Sequence, residues 1–338
     1  MPLRLRTNRP LLAGLLILLP AAAGLADPAS GQDLRRLRGK IAIDGSSTVY
    51  PITEAVAEAF KDAAPNVNIT VGVSGTGGGF KRFAANETDI SDASRPIKAD
   101  ESEMCDESGV GFLEIPVAYD GLTIVVSHSN DWVENLTVDE LKRIFLTDDP
   151  ATTWQDVRPT WPATPLKIYS PGTDSGTFDY FKEVVAGKTG TIRSDMSVSE
   201  DDNVLVRGVA GDAGAIGFFG VAYYLANQDN VRAVPIVNKD GKAVSPTPET
   251  IENGTYNPFS RPLFIYVKTK SSRKPHVRAF VNFYLDRAPK AAAEVGYVGL
   301  PADLYDRARA TVKDRREGSR YVDESGHAKH GSLREIYR

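Results

Sequence analysis

The chain has 338 residues, 41% hydrophobic, 25% charged and 9% aromatic, an ordinary globular composition long enough for about two domains. Forty Lys+Arg against 44 Asp+Glu give a formal charge of −4. That balance disfavours a protein held to nucleic acid by summed phosphate contacts, and no nucleic-acid partner is expected. A single cysteine excludes an internal disulfide framework and any cysteine-cluster metal site.

The N-terminus reads as a secretory signal. Arg4, Arg6 and Arg9 precede an apolar run over Leu11–Leu19, then Pro20 and small residues ending Gly24-Leu25-Ala26. The apolar stretch is too short for a comfortable membrane span, so cleavage near Ala26 is expected, leaving an exported chain. No cysteine lies at the cleavage point to carry a lipid. Residues 1–26 hold three arginines and no acid, so the remaining 312 residues carry 37 basic against 44 acidic side chains, a net −7.

Beyond a polar lead-in, strand-like runs alternate with helical patterns, which predicts an α/β fold. Lys40–Asp44 predicts a strand, followed by a helix from about Pro51 with Ile52, Val56, Ala59 and Phe60 on one face. Asn68–Ser74 predicts a second strand, followed by a shorter helix near Phe80–Ala84. Leu122–Val126 predicts a strand, and Leu166–Tyr169 another, leading to a helix that carries Phe178, Phe181, Val184 and Val185. Ala215–Phe219, Ala233–Val237 and Leu263–Val267 complete the expected strands. Residues 313–338 are charged and poor in apolar side chains, and are expected to form a loosely attached C-terminal tail.

Three of these strand-to-helix passages cross loops of Gly, Ser and Thr: Gly45–Thr48, Ser74–Gly79 and Ser170–Thr177. A helix N-terminus leaves about four backbone N–H groups unpaired and carries roughly half a positive charge. Glycine lets the backbone approach a ligand, and hydroxyls add donors on short side chains. One such loop is ordinary capping chemistry. Three at equivalent positions predict a site for a small anion. A fourth segment, Asp89–Ile97, adds Arg95, a residue suited to bidentate contact with a tetrahedral oxyanion.

Other motifs are weaker. Asp174-Ser-Gly-Thr177 matches the aspartic-protease tetrapeptide, but that chemistry needs two such carboxylates and no second copy occurs. Gly75–Lys81 lacks the Gly-Lys-Ser/Thr ending of a phosphate loop. No histidine stands in a triad context, and His327 with His330 falls in the polar tail. Cys105, among acidic neighbours, reads as an inert thiol. No catalytic residue, metal or cofactor is expected.

Six ordered strings resemble the periplasmic phosphate-binding protein (PstS) family of ABC importers. They are Asp44–Pro51, Val73–Gly79, Asp89–Ile97, Ala118–Leu122, Ser170–Phe181 and Ser260–Tyr266, within a span from about Lys40 to Val312. The resemblance implies a type II periplasmic binding protein fold, two α/β lobes joined by two hinge crossovers with the ligand in the cleft. Tyr119–Leu122 and Ser260–Leu263 would be the crossovers, lobe 1 residues 39–118 plus 262–312, and lobe 2 residues 119–261. It implies phosphate contacts from Ser47, Thr48, Thr76, Gly77, Ser94, Arg95, Asp174, Ser175, Gly176 and Thr177. The chain departs from the best-known members at Pro171, where they carry an arginine four residues before the loop serine. It also carries Ser94 where they place an aspartate, so it resembles a branch with Ser-Arg-Pro, in which Arg95 supplies the guanidinium from the opposite lobe. The acceptor for the phosphate proton is then Asp174 or Asp92, with Asp174 favoured for its place inside a ligand loop. The implied function is high-affinity extracytoplasmic phosphate binding by a monomer that delivers to the permease and ATPase of an importer. A receptor for sulfate or molybdate, a secreted phosphatase, and an adhesin or signalling scaffold on the same fold are the alternatives.

Overall fold

A computed structural model describes residues 34–338 apart from positions 174, 188, 200, 324 and 330. The expected signal peptide over residues 1–26 and the ligand candidate Asp174 lie outside the described residues.

Strand β1 (Gly39–Gly45) turns through residues 46–49 into α1 (Tyr50–Ala63). Helix α1 forms because Ile52, Val56 and Phe60 recur every fourth residue, and all three are buried. Pro51 sits in its first turn, where a missing N–H costs nothing. β2 (Val67–Val73) and α2 (Gly75–Ala84) repeat the unit, followed by β3 (Ile90–Ala93) and α3 (Ala99–Glu107). The long β4 (Phe112–Ser127) is buried along its whole length. Then come α4 (Val138–Phe145), α5 (Trp154–Val157), β5 (Lys167–Ser170), α6 (Gly176–Val185), β6 (Ser197–Val198) and α7 (Asp202–Ala210). β7 (Ala215–Gly220), α8 (Val221–Ala226), β8 (Val231–Ala233), the pair β9 (Ile236–Val237) and β10 (Ala243–Val244), and α9 (Pro248–Glu252) follow. β11 (Ser260–Lys268) returns beside β4, ahead of α10 (Thr269–Ser272), α11 (Pro275–Glu294), β12 (Val298–Gly299), α12 (Ala302–Asp314) and α13 (Leu333–Ile336).

The main sheet runs β2-β1-β3-β11-β4-β7-β5-β6. β1 is parallel to β2 and β3, and β5 is parallel to β6 and β7. Within each arm the carboxyl ends of these strands therefore share one edge, the side where open α/β sheets place their ligands. β4 joins the arms. As far as Gly121 it pairs antiparallel with β11, and from Leu122 it pairs with β7. In that register Arg261 stands opposite Asp120.

The expected α/β layering is found, with three local differences. The string Ser74–Gly79 is not an open loop: α2 begins at Gly75, so Thr76 and Gly77 belong to its first turn. Four glycines in α2 cost helix propensity, but close packing requires one of them. A Cβ at Gly79 would stand 2.6 Å from the Gly45 Cα, so α2 could not reach β1 with a larger residue. The strand expected over Ala233–Val237 is broken into β8 and β9, separated by Pro235, which has no N–H to give a ladder. The C-terminal segment is not loose. Leu333 and Tyr337 are buried, and the Tyr337 hydroxyl bonds the Glu114 carbonyl at 2.8 Å and Thr311 Oγ1 at 3.0 Å. The fully buried Glu114 carboxylate accepts from Ser319 Oγ at 2.5 Å, the Arg320 N–H at 2.8 Å and Tyr266 Oη at 2.9 Å. Composition hides this, because Leu333, Tyr337 and a buried acid of the main sheet anchor a segment that is otherwise polar.

Candidate functional site

At the carboxyl edge of the sheet lies a cavity of about 320 Å³. Ser46, Ser47 and Thr48 reach it from the β1–α1 turn, Gly75, Thr76 and Gly77 from the start of α2, and Ser94, Arg95 and Lys98 from the segment after β3. Asp179, Tyr180 and Glu183 face it from α6, and Arg261 from β11. The residues Ser47, Thr48, Thr76, Gly77, Ser94 and Arg95, expected from the sequence, are thus brought to one place.

Ser175, Gly176 and Thr177 stand beside it. Ser175 caps α6, its Oγ accepting from the Thr177 N–H at 3.2 Å. Gly176 abuts the first turn so closely that a Cβ would meet the Thr48 Cα at 2.9 Å and the Thr48 nitrogen at 3.3 Å. Gly176→Ala is accordingly expected to push the two turns apart and weaken anion binding at least tenfold with little change in unfolding temperature, measured by titration calorimetry beside a thermal melt.

The hydroxyls are arranged to donate. A hydroxyl carries one proton and two lone pairs, so an N–H seated on a lone pair leaves the proton free. Ser46 Oγ accepts from the Thr48 N–H at 3.2 Å, and Thr48 Oγ1 accepts from Arg261 Nη2 at 3.0 Å. Thr76 Oγ1 accepts from the Ser94 N–H at 3.2 Å and shares a hydrogen bond with Ser94 Oγ at 3.1 Å. One proton closes that mutual bond and the other remains to give. Ser47, in the same turn as Thr48, is the exception: its Oγ donates to Asp179 Oδ2 at 3.0 Å, so its proton is already engaged.

Both arginines are already paired. Arg95 makes a two-pronged contact with Glu101, 2.7 Å on each arm, and a third bond to the Pro96 carbonyl at 3.1 Å. Burial disfavours its cation, but the bonds and charge of Glu101 outweigh that and hold its pKa above the ordinary arginine value. Arg261 reaches Asp120 at 3.2 Å and Glu183 at 3.0 Å, and its guanidinium lies over the Tyr180 ring at 3.6 Å. Burial again opposes its charge, and Asp120 foremost restores it, so its pKa also stands raised. Burial pushes Asp120 up as well, against the pull of Arg261. Lys98 lines the cavity as the third cation, exposed and without an ion pair among the described residues. What remains to draw an anion inward is chiefly the set of N–H and O–H dipoles.

Asp92, the alternative acceptor expected from the sequence, does not line this cavity. It is fully buried beside Thr53, neither carboxylate oxygen has a hydrogen-bond partner among the described residues, and its carbonyl holds the Ser46 N–H at 2.9 Å. Burial foremost pushes its carboxyl up to about 8, the Asp44 charge adding to the rise and Thr53 opposing it. Cys105 is buried, and burial followed by the Asp106 and Glu101 charges pushes its thiol up to about 11, which leaves it unreactive at neutral pH. Among the described residues no cluster suited to a metal ion occurs. A second cavity, about 370 Å³ between α1 and the edge strand β2, lies away from the three turns.

The PBP superfamily domain matches residues 28–288. Protein SphX of Synechococcus elongatus is 48% identical over 321 residues, 94% of this chain and 95% of that protein. The phosphate-binding protein PstS of Staphylococcus saprophyticus is 38% identical over 302 residues, 89% and 92% of the two chains. The chain belongs to the PstS family. A solved structure, a possible phosphate binding protein from Planctomyces limnophilus, superposes with a TM-score of 0.80 at 44% identity, over 82% of this chain and 99% of that one. The fold is that of the periplasmic binding proteins, as expected. Against the PstS pattern expected from the sequence, the geometry adds Ser46, Lys98, Asp179, Tyr180, Glu183 and Arg261 to the cavity wall. Arg261 sits inside the string Ser260–Leu263, where the crossover role concealed a side chain aimed at the cavity. Asp179 carried a usable signal: it lies four residues after the capping Ser175, on the same face of a helix.

Proposed function

We propose that this protein binds inorganic phosphate outside the cytoplasm and delivers it to the permease and ATPase of an ABC importer. The observation that carries this is the convergence of hydroxyl and backbone donors from the β1–α1 turn, the start of α2 and the segment after β3, with the capped start of α6 packed against Thr48. Relatives that bear the name phosphate-binding protein support the choice of anion. They are binding proteins, and the proposed role is binding without turnover.

Ser47, Thr48, Thr76, Gly77, Ser94 and Arg95 on one side, with Ser175, Gly176 and Thr177 on the other, are the proposed ligands. The proposed lobes are residues 39–118 plus 262–312 and residues 119–261, turning about β4 and β11. Ligand bridging the two sides favours the closed form through its extra contacts there. The Arg-flanked apolar segment ending at Ala26 supports export with cleavage near that residue, and a monomer is the proposed working form. Several charge-assisted bonds, offset by ordering and closure, point to a dissociation constant of about 1 μM or tighter. Calorimetric titration of the purified protein tests the proposal: heat with phosphate is expected, and no heat with phosphate but clear binding of sulfate or molybdate would overturn it.

A further inference from the structure

We propose that the C-terminal segment is a strap across the back of the hinge, in which Arg334 ties the two lobes together and helps to hold them closed on the ligand. This role rests on the lobes and the anion proposed above, and it makes Arg334 a positioning residue far from the anion itself.

The segment is built onto lobe 1. The Gly318 N–H donates to the Phe112 carbonyl at 2.9 Å, Ser319 and Arg320 bond Glu114, and Tyr321 stands edge-on to Phe264 with ring centroids 5.8 Å apart. Leu333 and Tyr337 bury its last turn, and the Tyr337 carbonyl accepts from Arg307 Nη1 at 3.0 Å. All of these partners lie within residues 39–118 or 262–312. From that anchored turn Arg334 reaches across. Its Nη2 lies 3.2 Å from Asp303 Oδ1, in the first turn of α12 in lobe 1, and 2.8 Å from Glu252 Oε1, at the end of α9 in lobe 2.

This tie sits on the far side of the crossover from the cavity. Side chains alternate along a strand, and Asp120 of β4 turns toward the cavity, where it holds Arg261. Its neighbour Tyr119 therefore turns the other way, and the charges acting on its buried hydroxyl are Glu252, Arg334 and Asp303. Helix α9 rests on the crossover itself, since a Cβ at Gly121 would come within 2.9 Å of Ile251 Cδ1. The hinge thus has a tie on each side. Arg261 spans from Thr48 to Glu183 beside the cavity, and Arg334 spans from Asp303 to Glu252 behind it.

Both ties are made in an arrangement in which the lobes touch, with Ser47 on Asp179 and Gly176 against Thr48. A rotation about β4 and β11 that parts those contacts also changes the spacing of Glu252 and Asp303. A single nitrogen cannot then keep both carboxylates at bonding distance, so Arg334 favours the closed arrangement by a contact specific to it. All three side chains are about a third to a half exposed, which keeps the effect modest and sensitive to salt.

The test is titration calorimetry and stopped-flow release of phosphate on the unmodified protein, Arg334→Gln, Arg334→Glu, and Arg334→Glu combined with Glu252→Arg. Arg334→Gln is expected to bind phosphate about threefold more weakly, through faster release at an unchanged association rate, and the difference is expected to close in about 1 M salt. Arg334→Glu sets three carboxylates together and is expected to lose about tenfold; adding Glu252→Arg is expected to recover most of that. Unchanged or tighter binding in Arg334→Glu overturns the inference, and so does a loss that Glu252→Arg fails to recover. Thermal melts run alongside, and if Arg334→Glu does not fold, Arg334→Gln decides: an unchanged release rate there overturns the strap. If the unmodified protein binds no phosphate, the phosphate reading has failed on its own. The same four proteins are then compared with sulfate or molybdate, because the strap acts on closure and not on the choice of anion.

Discussion

Arg261→Gln is expected to lower phosphate affinity at least a hundredfold and to cost roughly 3 kcal/mol of stability. Three losses combine. Asp120, whose side chain is 1% exposed, would be left in the interior without its cation. Tyr180 would lose the guanidinium lying 3.6 Å over its ring. Thr48 Oγ1 would lose the donor that keeps its proton free for a ligand. The first loss concerns stability and the third concerns affinity, so the two can be separated. Arg261→Gln combined with Asp120→Asn is expected to regain much of the stability, because no buried charge is left unpaired, while affinity stays low. Urea unfolding and calorimetry on the single and double variants measure both. Affinity within threefold of the unmodified protein in Arg261→Gln would show that Thr48 is oriented by something else.

Asp92→Asn is expected to stabilise the protein, and to do so more at higher pH. The carboxyl sits near 8 in the folded chain, against an ordinary value of 3.8. Below 3.8 both folded and unfolded chains carry the proton, and this group makes no difference. Between 3.8 and 8 the unfolded chain releases it while the folded chain retains it, so stability falls as pH rises through that window, then levels off above it. At 1.36 kcal/mol per pKa unit the full loss is about 6 kcal/mol at most, and the cost of burying the asparagine amide offsets part of the gain by the same amount at every pH. A stability difference that moves in favour of the asparagine by up to about 5 kcal/mol between pH 4 and pH 8 is the expected profile. Thermal melts of both proteins across pH 4–8 give it directly. A difference that does not change with pH would mean that Asp92 is ionised in the folded state.

The strand-to-helix periodicity made the architecture legible, and with it the anion-facing turns. Ile52, Val56 and Phe60 mark α1, and the Gly-Ser-Ser-Thr ahead of it marks the turn that holds Ser47 and Thr48. Such turns are local, so a window of ten residues contains all the information they need. The charges around them are not local. Arg261 meets a threonine 213 residues away and a glutamate 78 residues away, and no pattern along the chain connects those positions. Glu101 neutralises Arg95 from six residues on, near enough to be noticed, but only the turn into α3 brings the two side chains face to face. Asp89 stands as near in sequence and Asp92 nearer, and neither meets Arg95, because Asp89 is engaged by Lys274 and Ser271 and Asp92 is enclosed beside Thr53. The C-terminal segment deceived for a similar reason: average polarity describes its surface, while Leu333 and Tyr337 decide where it lies.

The strand order has a consequence for how the chain assembles. β3 borders β1 on one side and β11 on the other, and β11 is completed only at Lys268. The arm made of β2, β1 and β3 comes first along the chain, yet its last open edge stays without a backbone partner until some 170 residues more are available. The arm formed by the far half of β4 with β7, β5 and β6 needs no residue beyond Gly220 to complete that ladder. Loop closure makes distant pairings slow, so the order of appearance along the chain and the order of closure run in opposite directions. The residues synthesised first are the ones held longest in an unfinished sheet.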